Sequence, residues 1–259
     1  MEENQNIPEV QFTESQSSSV LTSVSKREWT SYFKEFIMLF LAVFAGFLAE
    51  NYREHLVERV QEKQYMQSLL MDLKEDTTEL KKSIERASFL SRKSDSLIMY
   101  LYKNSPADFV SEQFITLSFG ALGRLDVIFS EVTAMQLKNS GNMRLIRNQD
   151  IIRNISVYWR EQEKTKIILE RILLYRNRAR EKEEKLFARS QNLLIGNGII
   201  NKDDRGIKVI NRDPALWSEY ANVVYDATNT TQNMIIQLET QLLMANELIS
   251  MLKNEYKLP

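Results

Sequence analysis

The chain has 259 residues, with 34 Lys+Arg against 35 Asp+Glu, one His and no Cys. This balance removes the basic excess that nucleic-acid binding needs, the lack of Cys excludes disulfides, thiolate chemistry and Cys-ligated zinc, and a single His excludes a His-rich metal site. With 43% hydrophobic residues but only seven Gly and four Pro, the chain is apolar enough to fold and too poor in turn residues for a β fold, so it reads as all-α.

Residues 1–28 read as a polar tail. Glu2, Glu3, Glu9 and Glu14 come before any Lys or Arg, a serine run occupies Ser15 and Ser17 to Ser19, and the few apolar residues follow no period. Such a segment buries too little to offset its ordering entropy and is expected to be a solvated arm. Residues 29–53 read as a membrane span with interfacial flanks. From Phe36 to Ala49 the sequence FIMLFLAVFAGFLA is apolar without a break. At about 1.5 Å per residue the run covers roughly 21 Å of a hydrocarbon core about 30 Å thick. Trp29, Tyr32 and Phe33 on one side and Tyr52 on the other supply an aromatic belt that makes up the difference, with Lys34 snorkelling outward and Glu35 at the interface. A cleaved leader fits poorly, because the run starts late and ends in FLAENY. Ala42 and Gly46, and likewise Ala45 and Ala49, put small residues on one helix face, the spacing through which two spans pack closely. Three basic residues on each side of the run leave its orientation undecided by charge.

Residues 54–259 are expected to form a helical domain. Gly and Pro cluster at three places, and the long stretches between them predict long helices over about 54–104, 149–194 and 214–256. The first carries apolar residues in 4-3 steps from Met66 through Leu70, Leu73 and Leu80, and Asn104-Ser105-Pro106 stops it. Asn148 is the expected N-cap of the second, and Gly196-Asn197-Gly198 its end. Asp213-Pro214 opens the third, whose stripe runs Trp217, Ala221, Val224, Ile235, Leu238, Leu242, Ala245, Ile249, Leu252 and Tyr256. Shorter helices are predicted over about 111–119 and 130–138, and a small hairpin between Ile199-Ile200 and Val209-Ile210. The architecture that satisfies these stripes is an elongated antiparallel bundle with coiled-coil character, entered directly from the span. Ser140 and Gly141 form the expected hinge: Gly141 ends one helix with φ > 0, and Asn148 caps the next.

Little of the remaining chemistry reads as a site. The run from Arg176 to Lys185 mixes signs, and pairs such as Arg180 with Glu184 mark it as a solvated helix face. His55 has no second ligand near it in sequence. Asn201 to Gly206 lacks the alternating ligands and distal Glu of a calcium loop. Met66, Met71, Met99, Met234, Met244 and Met251 read as core filler. No nucleophile, base and orienting group come together, so no catalytic, cofactor or metal residues are expected.

Three stretches carry a resemblance. Glu35 to Glu54 (EFIMLFLAVFAGFLAENYRE) resembles the span of a family of bacterial single-pass membrane proteins of unknown function, common in Bacteroidota, in which an acidic residue opens the span and an Asn-Asn-Trp-Asn-Glu-like sequence closes it. Glu35, Asn51, Tyr52 and Glu54 stand at those places, with Tyr for the usual Trp. Tyr65, Leu69, Leu70, Asp72, Leu73 and Asp76 are similar to the family's following helix. Leu137, Lys138, Ser140, Gly141, Leu145, Ile146, Asn148 and Tyr158 are similar to its midsection. The family's N-terminal tail is short and basic, whereas this one is long and acidic. The resemblance implies a plasma-membrane protein with its helical domain on the periplasmic side, and it carries no catalytic residues across. The expected role is interaction or scaffolding at the cell envelope, with a protein partner or a second copy of the chain. The alternative is a sensor-like bundle binding a small molecule between its helices.

Overall fold

Between Leu21 and Asn104 the chain holds one glycine, Gly46, and no proline, and Leu21–Lys103 forms a single α-helix, α1. The structure, a computed structural model, describes residues 21–104, 109–188 and 207–259. Among them lie four further helices: α2 (Glu112–Ala121), α3 (Val132–Asn139), α4 (Gln149–Leu186) and α5 (Pro214–Tyr256). A short 3-10 turn covers Asn142–Leu145, and two-residue strands β1 (Phe109–Val110) and β2 (Ile207–Lys208) pair antiparallel. The chain is all-α. It divides into two units, Met1–Arg59 and Val60–Pro259.

The first unit contributes the N-terminal part of α1, whose described apolar side chains, from Trp29 on, are exposed. Trp29 is 79% exposed and Val43 67%, and every large apolar residue from Trp29 to Val57 is exposed. The tail expected over residues 1–28 falls mostly outside the described residues; its last part, from Leu21, belongs to α1.

The second unit is built on three apolar layers. Met66 and Leu73 of α1 meet Leu137 of α3, Ile155 of α4 and Leu252 of α5 in the first. Leu80 and Leu90 meet Leu125, Ile172 and Leu238 in the middle layer. Leu97 meets Phe114 of α2, Leu186 of α4 and Tyr220 of α5 in the last. The order of the layers along each helix gives the topology. From residue 60 onward α1 and α4 run in the same sense, and α5 runs antiparallel to both. A parallel pair needs a return connection, which the segment from α2 to the 3-10 turn provides.

Helix ends follow local chemistry. Ser111 caps α2 by accepting from the Phe114 amide, Asn148 caps α4 by accepting from the Asp150 and Ile151 amides, and Asp213 caps α5 with Pro214 at the first position. Helix α4 ends at Leu186, earlier than the predicted 194, because Phe187 turns extended (φ −149°, ψ 159°) and bridges Val209. Val209 is therefore paired with Phe187; Ile199-Ile200, its partner in the predicted hairpin, lies outside the described residues. Helix α3 begins at Val132, two residues after Ser130, whose amide donates to Asp76.

Candidate functional site

The buried positions of the three long helices repeat in alternating steps of four and three, and not all of them are apolar. On α5 they run Tyr220, Val224, Ala227, Thr231, Met234, Leu238, Gln241, Ala245, Leu248 and Leu252. The seam shares Val224, Leu238, Ala245 and Leu252 with the predicted stripe and departs from it by one residue in alternate turns: Ala221, Ile235, Leu242 and Ile249 are only half-buried, while Thr231 and Gln241 are interior. Thr165 of α4 donates to the Gln241 Oε1 across the seam at 2.8 Å, which satisfies the acceptor end of the buried glutamine, while its Nε2 has no hydrogen-bond partner among the described residues. On α1 the same register takes in Glu62, Asp76, Ser83 and Ser94; on α4 it takes in Gln162, Thr165, Arg176 and Glu183.

The polar positions of α1 hold the return segment. Glu62 accepts from the Arg147 amide at 2.8 Å and the Tyr256 hydroxyl at 2.7 Å. Asp72 accepts from the Thr133 amide at 3.0 Å, supplying α3 with a cap from another helix, since Glu131 makes no side-chain cap of its own. Asp76 accepts from the Ser130 amide and the Tyr158 hydroxyl, both at 2.7 Å, and from the Gln162 amide at 3.2 Å. Ser83 donates to the Asp126 carbonyl and Arg86 to that of Arg124. An irregular segment lying against a helix has backbone groups without a ladder, and these side chains satisfy them. Burial raises the Asp76 carboxyl to about 6, against the pull of the Ser130 amide and the Tyr158 hydroxyl, and the neighbouring Asp72 and Glu75 charges add to the rise. Burial also pushes the Tyr158 hydroxyl upward, helped by the Asp76 charge.

At the other end of the unit the run from Arg176 to Lys185, predicted as a solvated face, is partly interior. Arg176, Ala179 and Glu183 are buried at successive seam positions. Glu183 accepts from the hydroxyls of Ser118 on α2 and Tyr220 on α5. Arg180 donates to the Leu122 carbonyl at 2.7 Å. A cavity of about 120 Å³ lies beside these groups, lined by Ile115, Ser118, Phe119, Leu122, Gly123, Arg180, Glu183 and Phe187. Arg176, a charged seam residue, has donors left over: its Nε and Nη1 are buried without a hydrogen-bond partner among the described residues. Burial and the charges of Arg180 and Arg86 pull this guanidinium down to about 10. The signal for Arg176 and Glu183 was in the sequence as their seven-residue spacing in register with Ile155 and Ile172, overridden there by their charge.

Of the residues expected at the span, Trp29, Tyr32, Glu35, Phe36, Ala42, Gly46, Ala49 and Tyr52 all lie on α1 with exposed side chains. Phe36, Phe40 and Phe44 stack along one face, with ring centroids 6.4 and 5.9 Å apart. A Cβ added at Gly46 would meet nothing within 4 Å. The hinge residues sit in the second unit, in the return segment. Ser140 follows α3, Gly141 has φ 69°, and Asn148 opens α4. Because a Cβ at Gly141 would also meet nothing within 4 Å, an alanine there is strained by its backbone alone. Gly141→Ala is expected to cost about 1–2 kcal/mol in denaturant unfolding, with Gly141→Asn recovering part of it, since Asn tolerates the left-handed region. Two of the predicted core methionines are exposed, Met71 at 63% and Met99 at 52%, because both fall outside the seam; Met66 and Met234 are fully buried. Among the described residues no group of three His, Asp or Glu side chains is placed to hold a metal ion.

No family model matches the chain, and no curated protein and no solved structure does. Among the described residues one helix is long and apolar enough to cross a membrane.

Proposed function

We propose that the chain is a single-pass membrane protein of the plasma membrane, anchored by the Trp29–Tyr52 stretch, whose helical domain works by interaction or scaffolding and performs no catalysis. The observation that carries the reading is the fourteen-residue run Phe36–Ala49, exposed along its whole length in the N-terminal part of α1. In water so continuous an apolar surface is unfavourable, whereas hydrocarbon accepts it together with a helix backbone that satisfies its own hydrogen bonds. The interfacial aromatic residues at each end favour the same environment. Membership of the Bacteroidota-type single-pass family, on the residues quoted above, would put the helical domain on the periplasmic side, where a protein partner or a second copy would meet it.

The chain has no cysteine, so single substitutions report topology directly. With Ser17→Cys and Asn197→Cys in separate variants, an impermeant thiol reagent applied to intact cells is expected to label residue 197 and spare residue 17. Labelling at 17 alone would place the domain in the cytoplasm. A chain recovered in the soluble fraction after lysis would remove the anchor from the reading altogether.

A further inference from the structure

Helices α4 and α5 each carry a second row of positions in steps of four and three, on the side turned away from the seam. Ile167 and Leu174 stand two residues after the buried Thr165 and Ile172, and Ile236 and Leu243 two residues after the buried Met234 and Gln241. At about 100° per residue, two residues is roughly 200° around a helix. All four aliphatic side chains are exposed, from 48% at Leu174 to 66% at Leu243. The α4 row reads Arg160, Lys164, Ile167, Arg171, Leu174 and Arg178, rich in bases and without an acid. The α5 row reads Gln232, Ile236, Glu239, Leu243, Asn246 and Ser250, and no Lys or Arg occurs anywhere between Arg212 and Lys253. Every side chain in the two rows is exposed. Other bases of α4 find carboxylates within the chain, as Lys164 does at Glu161 and Lys166 at Glu131. Arg171 and Glu239, each between the two aliphatic residues of its row, have no ion-pair partner among the described residues.

The two rows match in one direction. From Ile167 the steps along α4 are four and then three, to Arg171 and Leu174. The same order is met on α5 when it is read backward, from Leu243 to Glu239 and Ile236. Side chains of two helices interlock in layers when their steps keep the same order, so these rows fit antiparallel. We propose that the α4 row of one copy packs antiparallel on the α5 row of a second copy, with Ile167 on Leu243, Leu174 on Ile236, and Arg171 paired with Glu239 between them. Arg160, Lys164 and Arg178 then lie opposite the uncharged Ser250, Asn246 and Gln232. Packing α4 on α4 would set bases against bases instead, so charge selects α5 as the partner. From Arg160 to Arg178 the contact runs about 27 Å, small for a permanent interface, and the association is therefore concentration-dependent. The pairing rests on the interaction role proposed above, to which it gives a surface and an occupant, and not on the membrane anchor.

The test uses the full chain in a density-matched polyoxyethylene detergent, where sedimentation equilibrium over a concentration series is expected to show reversible self-association. Arg171→Glu and Glu239→Arg, both at the surface, are each expected to weaken it about fivefold, because one attraction becomes a repulsion. The chain carrying both substitutions is expected to recover to within about twofold of the wild type, a reciprocity that only a direct pair produces. The native chain has no cysteine, so oxidative cross-linking reads the register. Ile167→Cys is expected to link to a size-tagged Leu243→Cys chain in preference to a tagged Ile236→Cys chain, the partner that parallel packing would select. Positions 236 and 243 lie about 10 Å apart along α5, so a disulfide distinguishes them. A wild type that stays monomeric, charge reversals without effect, or preferential linkage to residue 236 would each overturn the pairing. None of these results bears on the anchor, which the labelling at residues 17 and 197 reads separately.

Discussion

Asp76→Ala is expected to destabilise the helical domain by about 3–5 kcal/mol, the cost of breaking a buried network rather than of losing one contact. The substitution leaves the half-buried Ser130 amide and the buried Tyr158 hydroxyl and Gln162 N–H without their acceptor. The damage reaches beyond α1, because Ser130 begins the approach to α3 and Tyr158 belongs to α4. Asp76→Asn separates the network from the charge. With the folded carboxyl raised to about 6, mainly by burial, its neutral form is the one the fold prefers. The resulting stability is fully present below the ordinary carboxylate range, near pH 4, and is lost as pH rises through about 6. Across that window the wild type is expected to lose up to about 3 kcal/mol relative to Asp76→Asn, which has nothing to titrate. Urea unfolding of both proteins at about pH 4.5 and 7.5 reads about 2 kcal/mol of this difference, the rest being lost below pH 4.5. Parallel behaviour of the two would mean that the donors, and not burial, control the carboxyl.

Phe114→Ala is expected to cost about 3–5 kcal/mol. Phe114 is 1% exposed and lies within an aromatic cluster: its ring centroid is 5.4 Å from Phe187, 5.8 Å from Trp217 and 6.4 Å from Tyr220. It is the anchor by which the ten-residue α2 reaches α4 and α5, and so short a helix has little stability of its own. The same substitution at Ile128, which is 67% exposed, is expected to change stability by no more than about 0.5 kcal/mol. Trp217 fluorescence in a denaturant titration follows both, since its indole is part of the cluster. A Phe114→Ala midpoint close to that of Ile128→Ala would show that α2 is not held by this ring.

The helical class, the exposed apolar run and the helix starts at Asn148 and Asp213 were legible because each depends on residues within a few positions of one another. A capping side chain reaches amides two and three residues on, and a breaker acts where it stands. The end of α4 was not legible in this way. Nothing between Leu186 and Leu194 breaks a helix, and the chain leaves it because Phe187 packs on Phe114 and bridges Val209. Asp72 and Asp76 stood out as a motif, yet their task, holding amides 54 to 61 residues away, belongs to the folded chain.

Sequence alone therefore determined that this protein is helical, where most helices begin, and that one stretch of α1 is long and apolar enough to cross a membrane. The tertiary structure decided which side of each helix faces inward. Apolar periodicity points a stripe only to within about one position, so Leu242 was taken for an interior residue in place of Gln241. It also decided that Asp76, Arg176 and Glu183 enter the seam, and that α1 and α4 run in the same sense. A polar side chain can be interior only when its partners arrive from other segments. Asp76 has such partners from the return segment and from α4. Arg176, in the same kind of position, has donors left over, and that difference is set by packing between elements far apart in the chain.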